Sequence, residues 1–246
     1  MMNIFSPERN LGLPILGALL GLSLIIGTII VARTFVVVKS MDNVITVSGS
    51  AKQEVRADSA RWMGSFSRTV TVSGMSTGYA QMKADEQAVV AFLTGQGVPS
   101  ENITISPVFS NEIWKNDTNA PKEYNLVQSV EVKLDDVDKM TGLAKESSTL
   151  ATRGVIFSAG MVEYYYQALP ELRVTLLPDA IADAKKRAEA IATSSGKTVD
   201  SIKSVSMGVV QVMPAGTVDV SDYGMYDTGS IDKEVMVTVK TTFSLK

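Results

Sequence analysis

The sequence predicts an α+β protein: an N-terminal transmembrane helix, then a soluble domain of two β-α-β-β type halves, with antiparallel sheets and helices packed on one face. Three observations predict it. Residues 11–32 (LGLPILGALLGLSLIIGTIIVA) carry no charge. Further on, apolar residues alternate with a period of two in several segments and recur at helical spacing in others. The order strand, helix, strand, loop, strand then occurs twice, over residues 62–134 and 155–245.

The apolar stretch comes first. As a helix rising about 1.5 Å per residue it spans roughly 33 Å, the thickness of a bilayer's hydrocarbon core. Leu11, Leu16, Leu20, Leu24, Ile26 and Ile30 are its expected lipid-facing side chains, which makes membrane lipid a partner. Two rival readings compete. A cleaved signal peptide has a shorter apolar core and a small-x-small site; here Ile30-Val31-Ala32 offers a bulky Ile30 and runs into Arg33. A buried core helix would carry a polar stripe, and this segment carries none. Gly12, Gly17 and Gly21, with Ala18, give it a small-residue face of the kind that lets such helices pack together. Residues 1–10 read as a tail and 33–43 as a juxtamembrane connector. Arg9 and the amino terminus on one side balance Arg33 and Lys39 on the other, so charge gives no orientation.

Composition excludes several chemistries. The chain has no cysteine and no histidine, which removes disulfides, thiolate nucleophiles, Cys-ligated metal sites and the usual general base. Beyond residue 39 there are 20 basic and 25 acidic residues. Such an acidic domain suits no phosphate backbone, and nucleic acid is not an expected partner.

The soluble part is expected over residues 44–246, its first half at 44–134 and its second at 135–246. Residues 44–56 read as a strand, with Gly49 a candidate bulge. Next, Trp62, Gly64, Phe66, Val70 and Val72 share one face of a second strand, with Arg61, Ser65, Ser67, Thr69 and Thr71 on the other. Met82, Val89, Phe92 and Leu93 mark a helix over 75–96, with Lys83, Asp85 and Glu86 pointing away and Gly95 and Gly97 closing it. Residues 102–109 read as one strand, with Pro107 marking an edge, 111–122 as a polar loop, and 124–134 as another strand. Asp135 or Asp136 is placed to cap the next helix, which Gly154 ends. Residues 155–166 form a strand. A helix over 177–195 has Pro178 in its first turn, a stripe of Ile181, Ala184, Ala188 and Ile191, and Gly196 beyond its end. Strands at 199–213 and 233–245 flank a long loop, 214–232.

Four stretches are distinctive together: ITVSGSA at 45–51, GVPSENITISP at 97–107, YNLVQSVEV at 124–132 before Asp135-Asp136, and ADAKKRAEAIA at 182–192 before Gly196-Lys197. On them the chain resembles the SIMPL-domain family. The resemblance covers about residues 44–245. Two positions depart from the family pattern: Ala57-Asp58 replaces a common Pro-Asp, and residues 151–154 (ATRG) replace a glycine-alanine-asparagine segment. The resemblance implies an extracytoplasmic location, amino terminus inside and domain outside, on the inner membrane. It also implies assembly into large homo-oligomers, ring- or channel-like, and links to envelope or oxidative stress. It carries no catalytic residues and no cofactor.

Candidate sites each have a bland counterpart. Asp135, Asp136 and Asp138 could hold a hard cation, or simply serve a helix N-terminus. Asp219, Asp222 and Asp227, with Ser221 and Thr228, could also ligate Ca²⁺, but their spacing matches no known calcium loop. Ser48-Gly49-Ser50 and Ser73-Gly74 are not expected to be nucleophile elbows, since no G-x-S-x-G pattern is expected and no histidine base exists, which leaves only a Ser–Lys pair. No dinucleotide or phosphate-loop pattern follows a strand, and no small-molecule substrate is indicated. Tyr164 and Tyr166, on the tyrosine run 164–166, and Tyr223, Met225 and Tyr226, in the polar loop, are candidate subunit contacts. The reading that results is a non-enzymatic, membrane-tethered scaffold that assembles with itself. The alternative is a monomeric domain that binds a peptide or small ligand, and a Ser–Lys or carboxylate hydrolase ranks third.

Overall fold

The computed structural model describes residues 12–40, 43–116, 120–217 and 223–246; Leu11, Asp219, Ser221 and Asp222 lie outside them. Helix α1 runs Gly12–Ser40, so most of the expected connector is helical. Arg33 alone does not stop a helix, and the apolar run resumes at Phe35–Val38. None of its most apolar window is buried, and mean hydropathy there is 2.6; this excludes the core-helix reading. Leu16, Leu20, Leu24, Ile26 and Ile30 are all exposed. The hydroxyls of Ser23, Thr28 and Thr34 donate to carbonyls three or four residues back, which satisfies them without water.

The strand-rich remainder holds β1 (Val44–Arg56), β2 (Ser59–Thr71), α2 (Met75–Gly95), β3 (Ile103–Ile105), β4 (Phe109–Ile113), β5 (Glu123–Leu134), α3 (Val137–Glu146), β6 (Phe157–Tyr165), α4 (Leu169–Ser194), β7 (Val199–Pro214) and β8 (Asp232–Leu245). They make an α+β fold of two sheets. One has the order β3-β5-β2-β6, with β4 also on β5; the other has the order β1-β8-β7. β2 pairs antiparallel with β5 from Ala60↔Leu134 to Thr71↔Glu123, and with β6 on its other side. The sheets do not follow the two sequence halves: β1 joins β7 and β8, and β6 joins β2.

Three elements differ from expectation. The strand expected at 102–109 is two strands, because Pro107 has no amide to give the ladder; Ser106 bridges the gap, its Oγ accepting the Ser129 amide at 2.9 Å. Part of the expected polar loop is therefore β4. α4 begins eight residues early, at Leu169, with Pro170 in the first turn and Pro178 inside the helix. Val72, expected on the apolar strand face, lies in a short 3₁₀ turn and is exposed.

Two compact units result. The larger comprises Ser50–Ile181 and Met207–Thr238. Its main core sets Trp62 and Phe66 of β2 and Leu126, Val130 and Val132 of β5 against Met82, Val89 and Phe92 of α2 and Met140 and Leu143 of α3. Both helices thus share one sheet face, and each large side chain buried there contributes about 1.5–3 kcal/mol. Asp136 caps α3 by accepting the Lys139 amide, and Gly154, at φ 78°, closes the turn that follows. A second cluster sets Leu172 and Leu176 of α4 against Val212, Val235 and Val237.

The other unit comprises the described residues up to Gly49, with Ala182–Ser206 and Val239–Lys246. Here Ala184, Ala188 and Ala192 form α4's buried stripe, with Val239 and Phe243 of β8 also buried. Asn43 ties the start of β1 down: it donates to the Leu245 carbonyl at 2.8 Å and accepts from Lys197 at 2.5 Å.

Candidate interaction surface

Strand β7 stands out because it is long, at the end of its sheet, and uncovered. Residues 200–209 are exposed without interruption, among them Ile202, Val205, Met207 and Val209 at 49, 44, 52 and 40%. The cause is geometric. A helix about 10 Å across covers roughly two strands spaced 4.8 Å apart, and one helix faces a sheet of three. Val210 and Val212 reach the α4 cluster; the preceding stretch does not. As a terminal strand, β7 has one neighbour among the described strands, β8, so alternate amides and carbonyls of 200–209 point away from the sheet. Lys203 is the one charge between Ser201 and Val210, little defence against pairing with another strand.

Near Val212 that edge is already closed. The Val212 amide donates to the Met225 carbonyl, and the Asp227 amide donates to the Val212 carbonyl, both at 2.8 Å, as a parallel bridge between Val212 and Tyr226. Where the bridge stops, a groove of about 500 Å³ opens between Leu169 and Arg173 of α4, Met207 and Val209 of β7, and Met225 and Tyr226. Among the described residues Arg173 is its one charged lining residue.

The two tyrosine groups singled out in the sequence meet at this point. The Tyr166 amide donates to the Tyr226 hydroxyl at 2.9 Å, and the Tyr165 and Tyr226 rings lie 6.0 Å apart. Tyr164 turns to the core instead, 8% exposed, its hydroxyl paired with Thr141 at 2.8 Å. Tyr223, at 96%, and Met225, at 37%, project outward. On the opposite face from Tyr164, Glu163 accepts from Tyr165 at 2.7 Å and from Arg61 at 2.8 Å. These donors hold the Glu163 carboxyl below its usual range, and the Glu163 carboxylate in turn raises the Tyr165 phenol.

What fixes the loop is a buried cation. Lys233 is fully buried and donates to the Asp227 carbonyl at 2.6 Å and to its carboxylate at 3.2 Å, beneath the Tyr226 ring. Asp227 also accepts from Ser230 and from the Gly229 amide. Burial alone would raise its carboxyl, but these donors outweigh burial and hold it below the ordinary value. Two backbone amides also donate to the same segment, Tyr164 to the Thr228 carbonyl and Ala57 to the Ile231 carbonyl.

The carboxylates at 135, 136 and 138 are individually engaged. Asp135 accepts from Gln167, Asp136 caps α3, and Asp138 pairs with Arg56; among the described residues no group of three or more acidic side chains gathers as for a metal. Asp85, expected to point away from the α2 core face, is 5% exposed and takes two hydrogen bonds from Arg68, at 2.7 and 2.8 Å. The expectation that no G-x-S-x-G pattern occurs is wrong: Gly74-Met75-Ser76-Thr77-Gly78 has that spacing. Ser76 sits exposed in the first turn of α2, and among the described residues no non-glycine has the positive φ of a strained elbow. With no histidine in the chain, it is an ordinary helix start.

The architecture defines a class: a two-sheet α+β domain behind an apolar helix of membrane-spanning length. The model of the SIMPL family, described as a protein of unknown function (DUF541), matches residues 45–243. That is most of the chain, and the chain belongs to the SIMPL family. No individual curated protein matches it.

Proposed function

We propose that this chain is a non-enzymatic, membrane-tethered assembly module of the cell envelope. Helix α1 holds it in the inner membrane as a single pass, its partner there being lipid. The strand-rich domain sits on the extracytoplasmic side and associates with further copies into a ring or cage that serves as a scaffold or compartment. Orientation and side follow from the family resemblance, since flanking charge is balanced.

One observation carries the reading. Ten consecutive exposed residues of an edge strand, four of them large and apolar, form a template for another strand. A tethered protein that left it open would aggregate, and a neighbouring copy covers it. The absence of histidine and cysteine supports a structural role over a chemical one.

Light scattering on the full-length protein in mild detergent tests this. The reading requires a protein mass many times the 26.4 kDa protomer. A protein mass of one protomer at micromolar concentration overturns it.

A further inference from the structure

We infer that the copies join through one repeated contact, in which β7 of each lies parallel to β1 of the next, continuing the three-stranded sheet from copy to copy. This rests on the self-assembly reading and specifies its interface.

The sheet order β1-β8-β7 leaves two open ends, one at β1 and one at β7. Their directions follow from their bonds to β8. Thr46 meets Thr242 and, further along β1, Lys52 meets Glu234, earlier on β8. On the other side Ser201 meets Ser244, and Thr238 donates to the Val209 carbonyl. Both outer strands run against β8, and so both run the same way.

An interface that pairs β7 with β7 of a second copy would cover that edge and leave every β1 open, so a second kind of contact would be needed. Joining β7 to β1 covers both edges with one contact. Repeated by rotation, it closes without leaving an end. Rotation about the membrane normal also keeps all copies in one orientation, so each β1 begins on the side from which α1 emerges. Because β1 and β7 are parallel within a copy, copies related by a small rotation set β7 beside a parallel β1.

The side chains are compatible with an unstaggered join. Lys203, two residues beyond Ser201, comes level with Thr242 and so with Thr46, well away from Lys52. Val205 comes level with Ser48 by the same reckoning. The first part of β1 offers Thr46, Ser48 and Ser50, small hydroxyl residues that pack at strand spacing and place no charge against Lys203.

The chain has no cysteine, so introduced thiols report without background. The experiment uses full-length Ser48→Cys, Val205→Cys and the double variant in mild detergent, under a gentle oxidant, with light scattering on each. Neighbouring strands bring Cα atoms within disulfide range. The double variant, and a mixture of the two single variants co-assembled before oxidation, should form disulfide-linked species that vanish on reduction. Each single variant alone should stay uncrosslinked. Crosslinking of Val205→Cys alone, or none in the double variant while its mass remains large, overturns the β7-to-β1 contact and leaves self-assembly standing. A protomer mass for the unsubstituted protein overturns both.

Discussion

The ammonium of Lys233 is sealed from solvent and bound at both ends of one residue, to the carbonyl and the carboxylate of Asp227. That pair fixes the segment carrying Met225 and Tyr226 against the end of β7. Removing one partner of a buried pair strands the other charge, at a cost of about 3–5 kcal/mol. Asp227→Asn should destabilise by about 3 kcal/mol in urea unfolding. Lys233→Met should cost less, since its apolar chain keeps the volume and Asp227 keeps the Ser230 and Gly229 donors.

The same carboxylate sets a pH dependence. Its pKa is lowered in the folded state, so its stabilisation is complete above the unfolded value, about 3.9, and is lost as pH falls through the lower folded value. Thermal melts from pH 6 downward should show the wild-type advantage over Asp227→Asn holding to about pH 4 and shrinking below it. An advantage that grows on acidification would contradict this assignment.

Arg68 holds the buried Asp85 in a two-pronged grip and also donates to the Gly154 carbonyl at 2.7 Å. Arg68→Ala should cost about 3 kcal/mol. Arg68→Lys should recover only part of that, since an ammonium cannot reproduce the fork. Equal stability of the Arg68→Lys variant and the wild type would show that the fork geometry is irrelevant.

At Gly64 a β-carbon would run into the ring of Phe157 on the neighbouring strand, where β2 and β6 shift register. Gly64→Ala should cost about 1–3 kcal/mol. Phe157→Leu, destabilising alone, should be less so when combined with it, a coupling that a double-mutant cycle reads directly.

The sequence made these features legible to different degrees. Helix α2, β5 and the Asp136 cap follow from period and capping chemistry, because each has one clear apolar face. α4 was legible in its second half, where the alanines repeat every fourth residue; its start was hidden because Pro170 and Pro178 both suit a first turn. Arg68 was a readable clue: it stands on the same strand parity as Trp62 and Phe66, where an unpaired charge is untenable, and so calls for a buried acid. The exposure of β7 was not readable. It depends on how many strands one helix covers, and its apolar residues, at 202, 205, 207 and 209, follow no single period. Nor could spacing alone join Tyr166 to Tyr226, sixty residues apart.

Charge on β7 should dissolve the assembly without unfolding the protomer. Val205→Lys with Met207→Lys, both at exposed positions, should lower the mass measured in detergent while leaving circular dichroism and the melting temperature of the separated protomer unchanged. Unchanged mass would place the interface elsewhere.

Hydrogen exchange along β7 in the membrane-embedded, full-length protein tests the central claim most directly. Alternate amides between Asp200 and Val209 point away from β8, and no other described strand pairs with them. If neighbouring copies cover this edge, those amides should exchange as slowly as those of β8, and the lysine double variant should release them. Rapid exchange of the outward amides beside a protected β8 would mean that β7 stays open to water, and self-assembly through this strand would be wrong.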